Sequence, residues 1–62
     1  MNENTFILTH ISQWVINYNT IMTEANMSEF HELPANNQEI ILHNATQEAK
    51  YLWSKLPEYL KS

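Results

Sequence analysis

The stretch Thr5–Ala25, TFILTHISQWVINYNTIMTEA, decides the fold. Its apolar residues fall at Leu8, Ile11, Val15, Tyr18, Met22 and Ala25, with gaps that alternate between three and four residues. That period sets them on one side of an α-helix, because every third or fourth helical residue returns to the same face. Ile7, Trp14 and Ile21 widen the stripe. Asn4 or Thr5 can cap the start by accepting a hydrogen bond from an orphan N–H, so a helix is expected over about residues 5–25. Residues 4–23 hold no formally charged side chain. A membrane span is still not expected, because His10, Gln13, Asn17 and Asn19 interrupt the segment too often for lipid.

Working outward, the second half repeats the pattern at Leu42, Ala45, Ala49, Leu52, Leu56 and Tyr59, with Trp53 and Leu60 alongside. A second helix is expected over about 35–56. Pro34 suits its first turn, where a missing N–H is no loss, and Asn36 with Glu39 offers an alternative capping box. Pro57 would clash with the carbonyl of Trp53, so this helix should stop near Leu56, leaving one further turn over 57–61. The connector, 26–34, can form a short helical turn capped by Ser28, while Leu33 is held extended by the proline after it. Phe30 and Leu33 are expected to fold back onto the end of the pair.

A short connector between two long helices favours an antiparallel hairpin. The sequence therefore predicts one all-α domain over 1–62, a helical hairpin with a short helical turn in its connector. A chain of 62 residues buries little surface alone, and an outer flank of Ile7, Trp14, Ile21 and Trp53 would stay partly wet. Pairing two hairpins into a four-helix bundle removes that exposure, so the expected seam of the hairpin and its dimer is Leu8, Ile11, Val15, Tyr18, Met22, Leu42, Ala45, Ala49, Leu52 and Leu56. A three-helix monomer with 28–33 as the middle helix is the alternative.

Composition closes off most chemistries. Glycine is absent, which removes phosphate-cradling loops, dinucleotide fingerprints and type I′ hairpins, all of which need its backbone freedom. Without cysteine there is neither a disulfide framework nor a thiolate zinc site. Three Lys, no Arg and a net charge of −4 oppose direct binding to phosphates. No basic segment precedes the first apolar residues, so no secretory signal is expected and the compartment is read as cytoplasmic. The sequons at Asn26 and Asn44 then carry no meaning. Neither metal nor cofactor is expected. Glu39 and His43 lie one helical turn apart, but two ligands off the apolar seam read as a solvated pair. His10 reads as a surface residue and His31 as part of the connector. Ser12, Ser28, Ser54 and Ser62 have no adjacent base in the sequence, so a nucleophilic triad has no support and no enzyme is expected.

What remains is surface. Glu24, Glu29, Glu32 and Glu39 gather around the connector, whereas the last thirteen residues carry Lys50, Lys55 and Lys61 against Glu58. His10, Ser12, Gln13, Asn17, Asn19 and Thr20 give helix one an outward side that is polar but uncharged, cheap to desolvate. Ile16, Ile40 and Tyr51 lie off the seams, and Trp14 or Trp53 at an edge could anchor a partner. Together with the four connector glutamates these form the candidate partner surface. The sequence points to a small interaction module that regulates or inhibits a larger protein, with a structural oligomer subunit or an acidic nucleic-acid mimic as alternatives. Its short, acidic, Asn- and Ile-rich composition suits an accessory protein of a phage or mobile element.

Overall fold

The computed structural model of the chain describes residues 1–61. It is an all-helical hairpin: α1 (Glu3–Glu24) and α2 (Ala35–Lys55) pack against each other, a single 3-10 turn lies at Phe30–Glu32, and a short α3 (Glu58–Lys61) follows. The connector thus holds three helical residues, not a middle helix.

α1 starts earlier than the sequence suggests. Asn2 Oδ1 accepts the Thr5 N–H at 2.8 Å, so Asn2 is the cap and neither Asn4 nor Thr5 fills that role. The extra turn places Glu3 where a carboxylate favours the helix dipole, and it brings Phe6 into reach of α2. At the other end the Met27 N–H bonds back to Met22 at 2.8 Å and the Asn26 N–H to Thr23 at 3.1 Å. This is a Schellman closure, and it puts Asn26 at φ 57°. In a chain without glycine, asparagine is the residue best able to take that conformation.

The connector folds onto both helices. Its 3-10 turn is capped by Glu29, in a reciprocal box with Glu32, and not by the exposed Ser28. The Phe30 N–H donates to Asn19 Oδ1 at 2.8 Å, and the Phe30 ring meets Tyr18 edge-on at 6.4 Å. Gln38 Nε2 donates to the Leu33 carbonyl at 2.9 Å, tying the same segment to α2. Pro34 sits just outside α2 at the cap, with no side-chain cap bond. Leu56, ahead of Pro57, turns extended at ψ 140°, which ends α2 at Lys55.

The inter-helix contact is turned relative to the expected seam. Phe6, Ile7, His10, Ile11, Trp14, Val15, Tyr18 and Met22 are the partly covered inner residues of α1, whereas Leu8 is 65% exposed, Ile21 59% exposed and Ala25 exposed. On α2, Ala45 and Ala49 are buried and Ile41, Leu42, Thr46 and Trp53 partly covered; Leu52 is 39% exposed and Tyr59, in α3, 76%. The ring contact between the helices goes with this rotation: Phe6 of α1 packs on Trp53 of α2 at 5.4 Å, while Trp14 stacks on Tyr18 at 5.3 Å within α1 and Leu8 points outward. Among the described residues Ala45 and Ala49 are the only buried apolar ones, at 4% and 0% exposure; their small side chains let the larger ones of α1 approach the α2 backbone.

The molecule is a slab, 42 × 23 × 15 Å. Its least dimension is little more than one helix diameter, about 10–12 Å with side chains. The radius of gyration is 13.6 Å, against about 10.6 Å for a compact domain of this length. Its accessible surface is 4620 Å², against about 4,200 Å² for a compact chain of this mass. Both broad faces of the hairpin are open.

Candidate functional site

Among the described residues no pocket opens and no group of three His, Cys, Asp or Glu side chains converges to hold a metal ion. Glu39 and His43 are both exposed on α2, one turn apart. Ser54 donates to the Tyr51 carbonyl at 2.6 Å, and Ser12 and Ser28 are exposed; Ser62 lies outside the described residues. Among the described residues no helix is long and apolar enough to cross a membrane.

Two residues expected on the outward side of α1 turn inward. His10 Nε2 lies 2.8 Å from Glu48 Oε1, a polar link between the two helices, and the His10 side chain is 23% exposed. Asn19 is half-buried because its side chain holds the connector through Phe30. The rest of that side is open: Ser12, Gln13, Ile16, Asn17 and Thr20 are all exposed. It is also locally satisfied, with Gln13 donating to Asn17 at 3.0 Å and Thr20 to the Ile16 carbonyl at 3.0 Å. A side chain already bonded within its own helix loses less on leaving water.

The candidate partner residues separate into three groups. Trp53 is half-buried against Phe6 of α1, with Lys61 5.4 Å from its ring, and Trp14 is half-buried and stacked on Tyr18 of its own helix. Ile16, at 57% exposed, lies on the outer side of α1, while Ile40 and Tyr51, at 59% and 61%, lie on the outer side of α2. The structure does not bring these three together. Of the connector glutamates, Glu29 accepts from the Thr23 hydroxyl of α1 at 3.1 Å and Glu32 from the Glu29 N–H at 3.0 Å, so the first ties the connector to α1 and the second serves the connector's own backbone. Glu24 and Glu39 are exposed.

Phe6 and Ile41 are inward residues that the three-and-four stripe passes over. Their signal is a run of fours: Phe6, His10, Trp14 and Tyr18 on α1, and Ile41, Ala45, Ala49 and Trp53 on α2. A run of fours turns about 40° around the helix at each step, so it departs from the three-and-four stripe within a few turns. Comparison with protein-family models, curated proteins and solved structures finds no match for this chain.

Proposed function

We propose that the chain is a non-enzymatic protein–protein interaction module, a regulator or inhibitor that covers a surface of a larger protein, and that it works as a homodimer of two hairpins closed into a four-helix bundle. The carrying observation is the balance of surface and interior. Among the described residues no large side chain is fully buried, both broad faces of a slab 15 Å thick are open, and the 20 residues between Glu3 and Glu24 carry no formal charge. Interface centres are depleted in Lys and Glu, and an α1 side of Ser, Gln, Asn, Thr and Ile has that character.

The same open faces favour a second reading, a structural subunit whose task is to oligomerise. Nucleic-acid mimicry has less support, since Glu29 and Glu32 turn back onto the connector and do not extend a row of carboxylates. The test is affinity capture from the cell that encodes the chain, using the unmodified protein beside an Ile16→Lys/Thr20→Lys variant. Both sites are exposed, so helicity should be unchanged. A larger protein retained by the unmodified chain and lost with the variant supports the module; equal retention by both removes α1's outer side from the proposal, and recovery of this chain alone favours the structural subunit.

A further inference from the structure

We propose that two copies pair with their connectors at opposite ends, each helix lying antiparallel to its own counterpart, through the face of α2 that carries Glu39, Leu42, Thr46 and Lys50. This rests on the pairing of hairpins proposed above and adds its orientation, register and face.

A broad face of 42 × 23 Å offers a footprint of about 900 Å², enough for the roughly 800 Å² per partner that a stable interface uses. Two hairpins stacked face to face about a two-fold axis in the plane of the interface have two solutions. With the axis along the long dimension, connector lies on connector; with the axis across it, each connector lies on the other copy's termini. Charge decides between them. The first solution sets Glu24, Glu29, Glu32 and Glu39 against their own copies, like charge on like. The second sets them beside an end that holds Lys50, Lys55 and Lys61 against Glu3 and Glu58.

Register follows from α2 itself. Glu39 and Lys50 are eleven residues apart, three helical turns and a remainder of only about 20°, so they share one face about 16 Å apart. α2 runs Ala35–Lys55, and Glu39 and Lys50 stand almost symmetrically about its middle residue, Ala45. An axis crossing α2 there brings Glu39 level with Lys50 of the partner subunit, and the reverse pair forms by symmetry. Both side chains are exposed, and among the described residues neither makes an ion pair or side-chain hydrogen bond. Between them lie Leu42 and Thr46, both half-buried, and the Thr46 hydroxyl already donates to the Leu42 carbonyl at 2.7 Å. An apolar centre flanked by opposite charges at equal distances complements itself under a two-fold rotation.

Two measurements test this. The chain has no cysteine, and Met27, in the connector, is 61% exposed, so Met27→Cys accepts a single spin label. Label-to-label distance in the dimer is expected close to the 42 Å length of the molecule; a distance within its 23 Å width overturns the orientation. Glu39→Lys or Lys50→Glu alone is expected to weaken self-association by about tenfold, and the two together to restore it to within about twofold. Single variants that associate like the unmodified chain, or a double variant that stays weak, overturn the register while leaving a dimer. An unmodified chain that never dimerises overturns the pairing itself, and this orientation with it.

Discussion

Asn26 holds the only left-handed backbone among the non-glycine residues described, at φ 57°, and closes α1 through the Met27 and Asn26 amides. A side chain with a Cβ is strained there, asparagine least among them, and glycine not at all. Asn26→Gly is therefore expected to raise stability by about 0.5–1 kcal/mol, and Asn26→Val to lower it by about 1 kcal/mol or more. Urea titrations followed by circular dichroism check both. If valine were tolerated, the closure would not depend on this conformation. Nearby, Asn19 and Glu29 show why polar residues were the hardest to place from the sequence. Each serves a backbone or side-chain group of another segment, Asn19 the Phe30 amide and Glu29 the Thr23 hydroxyl, and such pairings leave no periodic trace.

The two long helices and the break before Pro57 are legible in the sequence because each rests on a local rule: periodicity for existence, proline for the stop. The facing sides are less legible. Leu8 continues the three-and-four stripe as well as Ile7 does, and only the partner helix decides between them. The Phe6–Trp53 contact between the helices decides it for Ile7. This yields an ordering of aspartate substitutions. Val15→Asp places a carboxylate in the covered stripe and should cost about 2 kcal/mol or more, Leu52→Asp less because Leu52 is 39% exposed, and Gln13→Ala close to nothing. Thermal melts at a concentration low enough to keep the chain monomeric give the order directly; equal losses at Val15 and Leu52 would mean that the contact is centred on the expected seam after all.

For the whole molecule, the deciding quantity is how little interior two helices make. Ala45 and Ala49 are its buried apolar residues, and the rest of the hydrophobic side chains are shared between a narrow contact and two open faces. A slab of this kind reaches the ordinary proportions of a folded domain by adding a layer, and the second copy proposed above would be such a layer, Glu39 set against Lys50 of the partner subunit. The function proposed for it, covering another protein, uses the sides that remain once that layer is in place: the outer side of α1 around Ile16 and that of α2 around Ile40 and Tyr51. Sedimentation equilibrium of the purified chain across a wide concentration range tests this most directly. The account predicts a mass of twice 7.4 kDa, with dissociation on dilution accompanied by loss of helicity or of thermal stability. A particle of 7.4 kDa at every concentration, with an unchanging melting temperature, would contradict it.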